Sequence, residues 1–218
     1  RRCQRLISVC DAMTKQYLDA EIAAPEMFTT IYSGMDVEPF LDPPRPREEV
    51  RAELGFEDAD VVIGKVARLF DLKGHRYLLE AAPRIVEACP QARFLLVGDG
   101  PLRDQFEARI SRDGLADHFV LTGLVPPERI PELIHATELV VHTSVWEGLA
   151  RVLPQSMIAG KPVVSFDIDG AHEVVIPEET GLLVEPESVD GLVDAVTRLV
   201  ADQELRTRLG DEGCHRWT

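Results

Sequence analysis

The chain has 218 residues, of which 45% are apolar, 6% aromatic and 28% charged, and its formal net charge is -15. Such a composition suits one large soluble domain, or one domain with part of another. A charge this negative repels nucleic acid and anionic membranes as general partners, so any phosphate ligand must be held by local cations and backbone donors.

From the amino end, the chain opens Arg-Arg-Cys-Gln-Arg, without a signal peptide or a starting methionine, and reads as a fragment. Short β-branched runs predict strands at Leu6–Val9 and Phe28–Tyr32, the second leading into Ser33-Gly34-Met35-Asp36. The loop Leu41-Asp42-Pro43-Pro44-Arg45-Pro46 then places three prolines in six residues, which no helix or central strand tolerates. It is the predicted boundary between residues 1–42, a remnant and linker, and a main domain over 43–218.

Within the main domain, strands are predicted at Val61–Val66, Phe94–Val97, Phe119–Leu121, Leu139–His142, Pro162–Phe166 and Leu182–Val184. Between most of them lie helical patterns. Residues 74–89 line up Leu78, Leu79, Ala82, Ile85, Val86 and Cys89, with Pro83 expected to kink that helix or mark an irregular start. Ser188 is placed to cap a helix whose apolar stripe is Leu192, Val193, Val196, Leu199 and Val200. Strands alternating with helices predict an α/β fold: a Rossmann-like parallel sheet with helices on both faces. The chain stops inside a charged terminal helix.

Ligands of open parallel sheets bind beyond the carboxyl ends of the strands. Small, polar and charged residues collect after the predicted strands, and the opposite rim shows no comparable gathering in the sequence. Arg68 and Lys73 follow the first main-domain strand and flank a helix start. Free N–H groups there favour an anion, and two cations would suit a diphosphate. The competing reading is a pair of solvated surface cations. Gly98-Asp99-Gly100 is not a dinucleotide fingerprint, because Arg103 stands at the third glycine position and Pro101 opens the next helix. It reads as a tight turn whose glycines let a ligand approach, which argues against a nicotinamide enzyme.

The segment from Glu147 to Val164 is the most informative. A helix beginning near Gly148 would set its first turn and Gln155, eight positions after Glu147, along one side, and would end at Gly160. A buried helix with one satisfied glutamine is the alternative. Asp167 and Asp169 form an Asp-x-Asp pair that hard cations favour, but a turn explains them as well, no third ligand is apparent, and no metal site is assigned. The six histidines lack metal-ligand spacing, so His142 and His172 read as structural or polar loop residues. The four cysteines form no zinc or redox motif, and no apolar run approaches the roughly 18 residues of a membrane span. The expected location is cytoplasmic.

These motifs together resemble the carboxyl-terminal, donor-binding domain of glycosyltransferase family four, the retaining group with the GT-B fold. The matching stretches are Ala67-Arg68-Leu69 with Lys73-Gly74, Val97-Gly98-Asp99-Gly100-Pro101, Gly123-Leu124-Val125, Ser144-Val145-Trp146-Glu147-Gly148 and Thr180 to Val184. Ser33-Gly34-Met35-Asp36 is similar to the end of the family's acceptor domain. The resemblance implies transfer of a sugar from a UDP-sugar or GDP-sugar to a hydroxyl acceptor, without a cofactor. It assigns Arg68 and Lys73 to the leaving diphosphate and Glu147 to sugar hydroxyls. Backbone N–H groups of Gly148, Leu149, Ala150 and Arg151 would meet phosphate or sugar oxygens. The backbone around Val125 would meet the base, with Gly98 and Gly123 allowing close approach, and Gln155 would meet ribose hydroxyls.

Three positions depart from the family pattern: Ala67 and Ala150 replace glycines, and Gln155 replaces the usual glutamate. The acceptor, and any peripheral membrane contact, would belong to a missing amino-terminal domain, so the fragment alone is expected to be inactive. Two alternatives stay open: a non-catalytic nucleotide-sugar-binding module, and a metal-dependent transferase using Asp167 and Asp169.

Overall fold

The structure is a computed structural model and describes residues 3–217. Its amino-terminal part is β1 (Leu6–Ser8), α1 (Asp11–Asp19) and β2 (Phe28–Thr30), with β1 and β2 paired in parallel. Two helices follow, α2 (Glu38–Leu41) and α3 (Arg47–Glu53), on either side of the proline-rich loop.

The main body then alternates strand and helix: β3 (Val61–Val66), α4 (His75–Ala88), β4 (Ala92–Val97), α5 (Arg103–Arg112), β5 (Phe119–Gly123), α6 (Ile130–His135), β6 (Leu139–His142), α7 (Val152–Ile158), β7 (Val163–Phe166), α8 (Ala171–Val174), β8 (Gly181–Val184), α9 (Val189–Ala201) and α10 (Gln203–Trp217). All eight strands expected from the sequence are present, with ends shifted by at most two residues.

The main sheet has six strands in the order β5-β4-β3-β6-β7-β8, and every pairing is parallel. This is the Rossmann-like arrangement expected from the sequence. Order runs outward from β3 through β4 and β5 on one side, and from β6 through β7 and β8 on the other. The reversal falls between β3 and β6, so the loops leaving those two strands diverge and open a crevice. β3 is the sheet's centre: Val62 and Ile63 are wholly buried, as continuous apolar strands covered on both faces should be.

The helices cover the sheet by the stripes read from the sequence. Along α4, Leu78, Leu79, Ala82 and Ile85 are buried. Along α9, Leu192, Val193, Val196, Leu199 and Val200 are buried. Pro83 lies inside α4, which continues past it as α-helix to Ala88. The packing of α4 against the sheet and α9 outweighs the loss of one intrahelical hydrogen bond.

One expectation about the sheet's rims is corrected. The amino ends of the strands carry an ion network, drawn from residues at or just before the strand starts and from α3. Buried Arg51 donates to the carbonyls of Ala136 at 3.1 Å, Glu57 at 2.6 Å and Asp60 at 2.9 Å, and lies 3.2 Å from the Glu138 carboxylate. Arg47 pairs with the same Glu138, and Arg93 pairs with Asp60 at 3.1 Å. These charges tie the edge of the sheet to α3, and their sequence separation hides them from a search among post-strand loops.

The cap on α9 is formed as expected, with Ser188 Oγ accepting from the Gly191 N–H at 3.1 Å. Ser188→Ala should therefore lower stability by about 1 kcal/mol, the usual cost of a lost N-cap. Urea unfolding of the two proteins measures it.

Candidate functional site: the crevice between β3 and β6

The loop after β3 and the loop after β6 are bonded to each other. Thr143, just beyond β6, donates from Oγ1 to the Gly74 carbonyl at 2.9 Å. The Val145 N–H donates to the Leu72 carbonyl at 2.9 Å. Gly74 permits this approach: it has φ +62°, and a Cβ there would lie 1.8 Å from the Thr143 carbonyl oxygen. Only glycine meets both demands.

This seam brings Lys73 against Glu147. Lys73 Nζ donates to Glu147 Oε1, and the Ser144 hydroxyl donates to the same oxygen at 3.1 Å. His142 Nε2 lies 3.7 Å from it, beyond hydrogen-bond distance, while its Nδ1 faces Ser165 Oγ at 2.9 Å. Burial of Glu147 works against its ionisation, but His142 and Lys73 beside it bring its carboxyl down to about 2. Glu147 is thus a fixed anion, and Lys73 keeps N–H donors for a second acceptor.

Asp169 secures the same loop from the β7 side. Its Oδ2 accepts the Glu147 backbone N–H at 2.7 Å, and its Oδ1 accepts from Gln16 Nε2 of α1. Asp167 lies 3.5 Å from His172 Nδ1 instead. The Asp-x-Asp pair therefore splits between two partners, and among the described residues no group of three or more His, Cys, Asp or Glu is arranged to hold a metal ion.

Farther along the crevice, Arg151 and Gln155 line a cavity of about 800 Å³ together with Val66, Pro127, Ile130 and Asp36. Val125 is half-buried against the same apolar layer as Val66 and Ile130. The expected helix start is corrected here: α7 begins at Val152, not near Gly148. Pro154 has no N–H and costs least in a first turn, which is where it stands; residues 148–151 stay irregular and Gln155 lies near the helix start.

Gly148 packs closely against the amino-terminal segment: a Cβ there would lie 2.6 Å from Met13 Cε and 2.8 Å from Val9 Cγ2, so those two side chains would have to shift. Leu149 is half-buried and Ala150 buried in the apolar layer behind the site, whereas Arg151 is exposed. Gly98 and Gly123 are bonded to each other, with the Gly98 N–H donating to the Gly123 carbonyl at 3.1 Å. A Cβ on Gly98 would lie 2.2 Å from the Ala67 carbonyl, so the chain's own backbone fills that space. Arg68 stands exposed at the end of β3, its guanidinium 5.5 Å from the centre of the Phe70 ring.

Three participants are not singled out by the sequence as part of this site. Asp169 suggests only a metal ligand or a turn there. Thr143 bonds both loops. Lys65 is 1% exposed within β3 and donates from Nζ to Thr143 Oγ1 at 2.8 Å. A lysine inside the apolar run Val61-Val62-Ile63-Gly64-Lys65-Val66 is the signal that could find it.

A parallel sheet with cations, an anion and irregular N–H-bearing loops at its switch point has the construction of a nucleotide-binding α/β domain. The family model described as "Glycosyl transferases group 1" matches residues 46–216, and the chain belongs to that family. An alpha-D-kanosaminyltransferase of Streptomyces kanamyceticus is 33% identical over 192 residues, 88% of this chain and 50% of that protein. A 2-deoxystreptamine glucosyltransferase of the same organism is 31% identical, over 90% of this chain and 51% of the relative. The chain spans about half the length of these curated relatives. The crystal structure of Anabaena HepE in complex with UDP-glucose superposes with a TM-score of 0.91 at 27% identity, covering 100% of this chain and 59% of that one. The fold is accordingly the Rossmann-like half of a GT-B fold. Among the described residues, no helix is long and apolar enough to cross a membrane.

The lowered carboxyl of Glu147 sets a pH dependence. Its contribution to stability is complete above the ordinary carboxylate value of 4.5 and is lost as pH falls through about 2. The stability difference between the natural protein and Glu147→Gln should shrink across that window. Unfolding transitions recorded at successive pH values check this.

Proposed function

We propose that this chain is the donor-binding half of a retaining hexosyltransferase, which moves a sugar from a nucleoside-diphosphate sugar to a hydroxyl acceptor. The observation that carries the reading is the Lys73–Glu147 pair at the switch point, in a chain that belongs to a glycosyltransferase family. UDP is the first expected nucleotide, since the HepE crystal structures are complexes with UDP and UDP-glucose. GDP is second, as relatives from mycobacteria are named GDP-mannose-dependent.

In this reading the diphosphate rests against Arg68 and Lys73, and the nucleoside enters the cavity lined by Arg151 and Gln155. Cleaving the glycosidic bond builds negative charge on the departing phosphate. Cations already in place stabilise that charge where it forms, without the cost of reorganising solvent. Glu147, ionised and held by Lys73 and Ser144, orients sugar hydroxyls by accepting from them. Irregular backbone at Gly148, Leu149, Ala150 and Arg151 leaves N–H groups for phosphate or sugar oxygens. The acceptor hydroxyl comes from the amino-terminal side of the cleft, to which residues 1–42 belong, while 43–218 form the donor domain. We place the reaction in the cytoplasm, where scattered thiols stay reduced. Asp169 serves as a staple for the Glu147 loop, so donor binding needs no metal.

Two predictions concern the two ends of the donor. Hydrogen bonds to charged groups contribute roughly 1.5–3 kcal/mol, so Arg68→Ala or Lys73→Ala should each weaken UDP at least several-fold. Calorimetry in magnesium and in excess chelator should give the same affinity. Unchanged binding in both variants would refute the phosphate assignment, and a strict magnesium requirement would favour a metal-dependent transferase.

For the ribose, Gln155→Ala should cost about 0.5–1.5 kcal/mol against UDP and abolish the preference over its 2′-deoxy analogue. Gln155→Glu should be tolerated, because a carboxylate accepts two hydroxyls. Titrations with pyrophosphate supply the control. If the alanine variant loses as much affinity for pyrophosphate as for UDP, the residue only packs.

A further inference from the structure

Lys65 is the one large charged side chain among the most deeply buried of the described residues. It sits near the end of β3, the central strand, directly beneath the seam between the two site loops. Thr143 Oγ1 accepts from its ammonium at 2.8 Å and at the same time donates to the Gly74 carbonyl at 2.9 Å. Lys65, Thr143 and Gly74 thus form a continuous polar chain from the core to the residue that follows Lys73.

We propose that Lys65 is a positioning residue for the donor phosphates: through Thr143 it holds the β6 loop against the Lys73 turn, and it adds positive charge beneath the diphosphate. This rests on the reading of Arg68 and Lys73 as the phosphate grip.

The energetics favour a role beyond packing. An ammonium taken out of water costs several kcal/mol unless it is well compensated, and an apolar side chain of equal length would fill the same space without that cost. Departures from a simple apolar core are expected where a site needs them. The titratable groups that face Lys65 are Lys73 from the turn before α4, His75 from the start of α4, His142 from β6 and Glu147 from the loop beyond it. Burial and Lys73 lower the Lys65 ammonium to about 7, against the pull of Glu147. Burial likewise pushes His75 and His142 down. A diphosphate arriving above this group favours its charged form. Near pH 8, where the ammonium is mostly deprotonated and the diphosphate fully ionised, binding should therefore draw a proton onto Lys65, and affinity should fall as pH rises through that range.

The test is calorimetry of the full-length protein with UDP, GDP and the parent nucleosides, near pH 8, in two buffers of different ionisation enthalpy. The natural protein should take up a proton with the diphosphate and none with the nucleoside. Lys65→Met keeps the volume and removes the charge. It should weaken the diphosphate about tenfold, leave the nucleoside unchanged, abolish proton uptake and raise or preserve the unfolding temperature. Thr143→Val should weaken the diphosphate in the same direction. A folded Lys65→Met protein that binds the diphosphate like the natural one overturns the inference and leaves the donor site standing. If Lys65→Met does not fold, natural protein without proton uptake, together with unchanged binding in Thr143→Val, overturns it equally. If the natural protein binds neither diphosphate nor nucleoside, the donor-site reading itself falls, and the role of Lys65 with it.

Discussion

Everything at the site depends on how closely two loops can approach. The Lys73 turn leaves one side of the switch point and the Thr143–Glu147 loop leaves the other, and they meet where residue 74 has no side chain. One added carbon would force them apart, because the Thr143 carbonyl stands 1.8 Å from where it would be. Sheet order brings the two strands side by side, but does not by itself bring a lysine to a glutamate. The missing Cβ and the left-handed backbone at Gly74 do that, and the pairing of Lys73 with Glu147 follows.

The site then inherits rigidity from several directions. Ser144 and Lys73 hold the glutamate's side chain, while Asp169 holds its backbone. Behind them lie apolar contacts of Ala150, Leu153 and Met157 with the sheet. A carboxylate fixed in this way presents a defined acceptor geometry, and its ionisation is secured by the cation beside it. The backbone between β6 and α7 is irregular over residues 143–151, which keep their polar groups outside any helix.

Much of this is legible in the sequence, and the failures are instructive. The six strands of the main sheet show because parallel strands covered on both faces are short continuous apolar runs, which turns then bracket. Arg68, Lys73 and Glu147 are picked out because a switch-point site is built from residues that follow strands, and Gln155, on α7, by its spacing eight positions from Glu147. The start of α7 is misplaced when Pro154 is given too little weight: it lies in the first turn, so the helix starts at Val152. Asp169 and Thr143 escape as site-builders because their partners are far away in sequence, and spacing carries no trace of such a bond. Lys65 escapes because a lysine in an apolar run passes for part of the strand's pattern when it is the exception to it. The Arg47, Arg51 and Glu138 network is hidden for the same reason as Asp169.

The contact between the amino-terminal segment and the site rim has a consequence for motion. Glu173, on α8, accepts the N–H groups of Asp11 at 3.0 Å and Ala12 at 2.7 Å at the start of α1, and the Tyr32 hydroxyl at 2.7 Å. Gln16 reaches Asp169 beside it. These are polar bonds at a partly wetted seam, where water competes for each partner, so even with a carboxylate as acceptor every bond is worth only roughly 1.5–3 kcal/mol net. A seam of this kind behaves as a clasp and not as a weld. Closing it aligns α1 with the loop that carries Glu147, so the amino-terminal segment and that loop hold each other in place through bonds that are each individually weak.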